Sequence, residues 1–237
     1  MLFDAILRTT SRKTNRGIRD AKRALAFERV LARRHFAAVK KAKHLAGQTG
    51  LKLHLACGKN IKNGWINIDL FKRKADLRLD LRETFPFEDS SVEIIYSEHF
   101  FEHLEYPGEV GHVLKESLRV LQPGGRFSVS VPDAVPMLEA YVHNNTEAFR
   151  ICRERWHPSW CDTHMHQLNY FFRQGNEHKY AWDFETLAKV LETAGFRPVG
   201  RRVFDLELDL ESRRDGSLYL EAHKPVVAMK AGIRSAA

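Results

Sequence analysis

Cysteine is scarce: Cys57, Cys152 and Cys161 are the only three in 237 residues, none in a CxxC pair, and one thiol is left over however they are matched. That excludes a disulfide framework and favours a reducing, cytoplasmic compartment. Long hydrophobic runs are missing as well. No stretch nears the ~18 consecutive apolar residues that a membrane-spanning helix needs, and no signal peptide is read at the N-terminus. Internal repeats and low-complexity tracts are absent, which leaves an ordinary globular chain. Acidic residues are few in the first 46 positions, 3 against 13 Lys/Arg, whereas the remainder holds 27 against 25. The net charge of +8 therefore belongs to an arm, and the body is close to neutral. Nucleic acid is disfavoured as a partner, because tracking phosphates requires a basic stripe across the body.

What is present suffices for a packed core: 43% of residues are hydrophobic and 29% charged. Residues 1–46 read as a basic helical arm, rich in Ala, Leu, Arg and Lys. Leu2, Phe3, Ile6 and Leu7 sit at helical spacing, then Ile18, Ala21 and Leu25, then Leu31, Phe36 and Val39. Such an amphipathic helix suits peripheral contact with an anionic membrane, at the inner face of the cell membrane, or packing on the domain or on a second subunit in a homo-oligomer. Gly47-Gln48-Thr49-Gly50 reads as the linker into a main domain spanning 47–224, and 225–237 as a flexible tail.

From Leu51 strand and helix patterns alternate. Strands are expected at 51–55, 65–69, briefly at 77–80, at 92–97 and at 126–131. Val110, Val113, Leu114, Leu118 and Leu121 mark one helix face that stops at Pro123-Gly124-Gly125. This alternation predicts an α/β fold with a Rossmann-like, doubly wound, mostly parallel sheet. Residues 134–180 break the rhythm with five histidines and a concentration of aromatics, including His164, His166 and Tyr170, and read as a cap over a pocket. Asp183 then looks like an N-cap and Gly195 a helix stop. Val203–Leu210 alternates strictly, Asp215-Gly216 is a turn signal, and Leu218–His223 is expected to pair back as a C-terminal antiparallel hairpin.

The stretch Leu51–Asp69, LKLHLACGKNIKNGWINID, is a buried strand breaking on small residues, with a second strand ending in aspartate. Small residues after a strand let backbone approach a ligand, and an acidic residue ending the next strand is placed to accept from ribose hydroxyls. In order with it come RLDL, FPFEDSSVEIIYSEHFFEHL and LRVLQPGGRFSVSVPD. These segments together resemble a class I S-adenosylmethionine-dependent methyltransferase, more narrowly the methyltransferase-11-like group that includes members associated with polysaccharide synthesis. The likeness covers about 51–132 closely and 178–223 in outline.

That resemblance implies S-adenosyl-L-methionine as cofactor. It places Ala56, Cys57 and Gly58 at its methionine end, Asp69 and Leu70 at the ribose, Asp80 and Leu81 at the adenine, and Ser97 and Glu98 on the pocket floor. Three positions depart from the group's pattern: His54 stands for an acidic residue, Ala56 for the first glycine and Asn60 for the third. Gly58 and Asp69 are also close in sequence, so the first crossover helix is expected to be abbreviated.

Methyl transfer needs positioning, and for a hydroxyl acceptor a base. His103, after the fourth expected strand, is the candidate base or acceptor-orienting group, with His99 its neighbour and competitor. His164, His166 and Tyr170 are candidate acceptor contacts from the cap, and no metal is expected. The reaction expected is O-methylation of a saccharide or other small metabolite. The rivals are a zinc-dependent hydrolase on His99-x-x-Glu102-His103, with both imidazoles on one helix face and His164 or His166 completing the site, and a non-catalytic protein binding RNA or anionic membrane on the same fold.

Overall fold

The computed structural model describes residues 11–226. Leu2, Phe3, Ile6 and Leu7, and most of the expected tail, lie outside the described residues. The arm forms helix α1 (Arg12–Ala42), capped by Ser11, whose hydroxyl accepts from Thr14 N–H. Its two halves behave differently. Leu31, Ala38 and Ala42 are buried against the domain, whereas Leu25, Val30 and Phe36 stay exposed. The domain-packing reading of the arm thus holds for its C-terminal half. The apolar stripe turns away at Phe36, which is 70% exposed.

Six strands form one sheet in the order β2-β1-β3-β4-β6-β5. β1 (Leu51–Leu55) lies between β2 (Ile66–Ile68) and β3 (Val92–Glu98), parallel to both. β4 (Leu121–Pro132) follows parallel to β3. β6 (Ser217–His223) runs antiparallel to β4 and to β5 (Val199–Arg201). The expected strand at 77–80 shrinks to a single bridge between Ile68 and Leu77. The segment between β1 and β2 contains no helix at all, so the abbreviation expected there is complete.

Helix α2 (Gly108–Val120) packs Val110, Val113, Leu114 and Val120 on the sheet. It ends three residues sooner than its glycines suggested. Pro123-Gly124-Gly125 lies inside β4, where the pairing with β3 slips between Val92 and Ile94. Gly125 is required there: a Cβ would meet Gln122 O at 2.8 Å and Glu93 O at 3.2 Å. The cap comprises α3 (Ala134–Val142), α4 (Thr146–Arg155) and α5 (His164–Arg173), and the chain returns to the sheet through α6 (Phe184–Ala194). Asp183 caps α6 by accepting from Thr186 N–H, and Gly195 ends it at φ 110°.

The C-terminal hairpin needs a correction. β6 pairs with Val199–Arg201, not with 203–210, and the connection is a long loop. The alternation in 203–210 reflects carboxylates turned inward: Arg202 donates to both oxygens of Asp209, at 2.6 and 2.7 Å, and Tyr96 Oη donates to Asp209 at 3.0 Å.

His54, in the middle of β1, is 1% exposed and rests on Tyr96 with ring centroids 5.1 Å apart. Burial, aided by the Lys62 charge, pushes its pKa down to about 3. Unfolded, the ring titrates near its usual ~6.5. Below that value the unfolded chain binds a proton that the folded chain refuses, so stability falls with pH, by up to about 1.4 kcal/mol per unit. His54→Leu is expected to lose about 1 kcal/mol less than wild type between pH 7 and 5.5. Urea melts at the two pH values measure it, and equal losses would contradict the assignment.

Candidate active site

A cavity of about 1320 Å³ opens at the carboxyl ends of β1, β2 and β3. It exceeds the roughly 300–1,000 Å³ of a typical small-ligand site, leaving room for a cofactor and a second molecule. Its floor is the β1 exit, where Ala56 (φ 49°) and Gly58 (φ 56°) both adopt left-handed backbone. A Cβ on Gly58 would meet no atom within 4 Å but would sit strained at that φ. Asp69 fastens this loop: its carboxylate accepts from Gly58 N–H at 3.0 Å, Phe71 N–H at 2.8 Å and Lys72 N–H at 2.9 Å. The Gly58–Asp69 bond ties the exit of β1 to the end of β2 across the short helix-free connection. Cys57 is buried and its thiol is pushed up to about 12 by burial and by the nearby Asp69 and Asp76 charges, so it is no nucleophile.

Asp80 also lines the cavity. Burial opposes its ionisation, but the hydrogen bonds of Arg82, at 3.0 Å from Nε and 2.7 Å from an Nη, hold it below the ordinary carboxylate range. Leu70 and Leu81 stand beside the two aspartates in the lining. At the end of β3, Glu98 accepts from Leu210 N–H at 3.0 Å and lies 3.6 Å from Arg213, and its pKa is raised, chiefly by burial. Ser97 is a correction to the expected floor: it is fully buried and absent from the lining.

Beyond Glu98 the backbone turns sharply, with His99 at φ 51°, into a 3-10 turn over Phe101–His103. His99 and His103 both line the cavity. Burial pushes His99 down to about 3 and lowers His103, so both rings are neutral at pH 7. Glu102, between them, is 2% exposed, and burial raises its carboxyl to about 8.

His164, His166 and Tyr170 do not reach this corner. His164 stacks on Phe149 at 4.1 Å, His166 bonds Asp162 at 2.7 Å, and Tyr170 packs on His157 and Trp160. Only His164 among them touches the cap's own small core of Met137, Ala140, Phe149 and Leu168, through Phe149, and His166 is exposed. The cap instead contributes Asn176, Glu177 and Lys179, just after α5. Lys179 N–H and Tyr180 N–H both donate to the Glu102 carbonyl, which fixes that segment against the His103 turn. Sequence reasoning also missed Phe27, Glu28 and Leu31 of α1, and Leu210, Ser212 and Arg213 of the loop before β6. Phe27 stacks on Phe71 at 6.3 Å, so the arm forms part of the cavity wall. The α-helix that the zinc-hydrolase reading requires is absent here, and His164 and His166 are elsewhere.

The family model described as a methyltransferase domain matches residues 38–129. The match takes in β1 to β3 and most of β4, with Ala56–Gly58, Asp69, Asp80, Glu98, His99 and His103 all inside it. No curated protein matches the chain. Among solved structures, an S-adenosylmethionine-dependent methyltransferase of Thermotoga maritima aligns at 15% identity and TM-score 0.43, over 87% of this chain and 96% of that one. One from Archaeoglobus fulgidus aligns at 15% identity and TM-score 0.45, over 80% and 93%. The Haemonchus contortus phosphoethanolamine N-methyltransferase 2, solved with S-adenosyl-L-methionine, aligns at 12% identity and TM-score 0.45, over 80% and 52%.

The cavity that the matched segment helps to build would fit S-adenosylmethionine. A loop of left-handed backbone offers close approach, two aspartates stand among leucines, and the acidic groups Glu98, Glu105 and Glu109 in the wall suit a cationic ligand. Among the described residues no helix is long and apolar enough to cross a membrane.

Proposed function

We propose that this protein transfers the methyl group of S-adenosylmethionine to a hydroxyl oxygen of a saccharide or small polar metabolite. The observation that carries the reading is the placement of His99 and His103, neutral imidazoles, on the wall of the cavity that also holds Asp69 and Asp80. Ala56, Cys57 and Gly58 would hold the methionine end by backbone contact. Asp69 would take the ribose hydroxyls with the lone pairs its three backbone donors leave free. Asp80 and Leu81 would meet the adenine edge and face, with Leu70 beside the sugar and Glu98 toward the sulfur end. The cofactor supplies a methyl group already activated on a sulfonium, so this chain's residues chiefly hold the acceptor oxygen in line and handle its proton.

His103 is the residue proposed to meet that oxygen. Its lowered pKa keeps the ring unprotonated at neutral pH, as a base or hydrogen-bond acceptor requires. His103→Ala is expected to bind S-adenosylhomocysteine as wild type does and to lose about 10²–10⁴-fold in turnover on the true acceptor. Retention of wild-type turnover would remove the role. Failure of the wild-type protein to bind S-adenosylhomocysteine at millimolar concentration in calorimetry would sink the whole reading.

The exposed face of α1 supports a subsidiary proposal of contact with an anionic membrane. Leu25 and Val30 are exposed on a helix otherwise crowded with basic side chains. The protein is expected to co-sediment with vesicles containing phosphatidylserine, to release in ~1 M salt, and to ignore neutral vesicles. Equal binding to neutral vesicles would overturn this.

A further inference from the structure

Three imidazoles converge on the Glu102 carboxylate, and none of them gives it a proton. His103 Nδ1 lies 3.1 Å from the Glu177 carbonyl and His178 Nδ1 lies 2.8 Å from the Phe171 carbonyl. A carbonyl can only accept, so both Nδ1 atoms carry the hydrogen and both Nε2 atoms present lone pairs. His99 Nε2 lies 2.8 Å from Ser217 Oγ, and that hydroxyl donates to the Arg213 carbonyl at 2.7 Å. Hence His99 donates to Ser217 through Nε2, and its Nδ1 is the lone pair.

Those lone pairs face Glu102 at distances beyond hydrogen bonding. His103 Nε2 is 3.8 Å and His99 Nδ1 3.7 Å from Glu102 Oε1. The Glu102 side chain is 3% exposed, and its Oε2 has no hydrogen-bond partner. A buried carboxylate that no neighbouring side chain gives a hydrogen, with acceptors facing it, is costly unless a cation sits among them. Ligand atoms of Glu102, His103 and His178 all lie within 4.8 Å of one another. Bond lengths of about 2.0–2.2 Å place tetrahedral ligands roughly 3.3 Å apart, so small side-chain rotations would close the set. Two histidines tied by Nδ1–H to backbone carbonyls are the orientation that metal-bound imidazoles adopt.

We infer that Glu102, His103 and His178 bind one divalent first-row transition-metal ion at the wall of the methyltransferase cavity, where it coordinates the acceptor hydroxyl. Two imidazoles and a single carboxylate favour such an ion over magnesium or calcium, which want oxygen ligands. His103 belongs both to the cluster and to the cavity lining, so the ion's remaining positions open toward the acceptor. His99 stands on the other side of Glu102 as a reserve ligand. Resting on the methyl-transfer reading above, this says how His103 meets the acceptor: through the ion. A hydroxyl on the ion sheds its proton to solvent more readily. Its oxygen then forms the O–CH₃ bond as the S–CH₃ bond breaks, and that electron pair leaves on sulfur as the neutral thioether.

The test uses the full chain, purified without a histidine tag and stripped with EDTA. Calorimetric titration with Zn²⁺ and Mn²⁺ is expected to show one ion per chain for at least one of the two. Glu102→Gln and His178→Ala should each weaken it at least about 100-fold, more than the 10–100-fold that second-shell losses cost. S-adenosylhomocysteine, titrated into the same stripped protein, should bind as in untreated protein. His178→Ala changes a half-buried side chain of the cap, so it guards against a Glu102→Gln variant that fails to fold. No saturable site for either ion up to millimolar concentration, or variants that bind as wild type does, would overturn the inference. If S-adenosylhomocysteine binds while the ions do not, only the metal site falls. If the ions bind and S-adenosylhomocysteine does not, the methyl-transfer reading falls instead.

Discussion

Asp69→Ala is expected to weaken S-adenosylhomocysteine binding by about 100-fold or more, because two charge-assisted hydrogen bonds to ribose are worth roughly 1.5–3 kcal/mol each. The loss has a second source in this chain. With no crossover helix after β1, the turn at Gly58 is held to β2 by its N–H on Asp69 Oδ2, at 3.0 Å, and removing the carboxylate frees that turn. Asp69→Asn should be nearly as damaging. Both carboxylate oxygens already accept backbone N–H groups, at 2.8, 2.9 and 3.0 Å, so either amide orientation points an NH₂ at a donor. Calorimetry with S-adenosylhomocysteine measures the change, alongside circular dichroism to confirm that the variant is folded. A dissociation constant within threefold of wild type for Asp69→Ala would remove Asp69 from the cofactor site.

The second large effect concerns stability. The Asp209 side chain is fully buried and that of Arg202 is 11% exposed. Asp209 accepts from Arg202, from Tyr96 Oη and from Asp205 N–H at 2.8 Å, while Arg202 Nε donates to Ser128 Oγ at 2.8 Å. Asp209→Ala leaves a guanidinium buried without its counter-charge, and the expected loss is about 3–5 kcal/mol in urea unfolding. Replacing both partners with apolar residues, Arg202→Met with Asp209→Leu, should recover most of it, since no buried charge is then left alone. A single variant that loses under 1 kcal/mol, or a double variant no better than the single one, would show that the pair does not hold the loop.

These two networks also mark where reading the sequence succeeds. β1 and β2, the face of α2, the Asp183 cap and the Gly195 stop were all legible, because periodicity and capping are properties of neighbours in the chain. So was Asp69, at the end of a short strand. The loop 203–210 was misread as a strand. Its alternation has the right period, but Asp209 turns inward to Arg202, and Tyr96 lies 113 positions away, with nothing local to announce it. The short strand at 77–80 was lost because only Leu77 finds a partner on β2.

The cavity divides in the same way. Residues from the strand ends could be named in advance, whereas Phe27, Glu28 and Leu31, then Asn176 and Glu177, then Leu210 and Arg213 reach it by tertiary packing alone. Aromatic and histidine content points to His164, His166 and Tyr170, which make their contacts within the cap and not at the cavity. The ring that does approach the corner, His178, sits five residues beyond the end of α5 in a stretch without a distinctive pattern.

The boundaries of the 38–129 match carry a consequence for specificity. The residues proposed to hold the donor, from Ala56 to Glu98, fall inside that segment, as do His99 and His103. The walls from the arm, the cap and the loop before β6 all fall outside it. On the proposed reading the matched segment holds the donor and carries His103 to the acceptor, and the rest of the acceptor's surroundings comes from other stretches. Two proteins sharing the matched segment closely can still differ completely in what they methylate. Exchanging 134–180 or 202–216 between them would move acceptor preference without touching the strand ends that hold the donor.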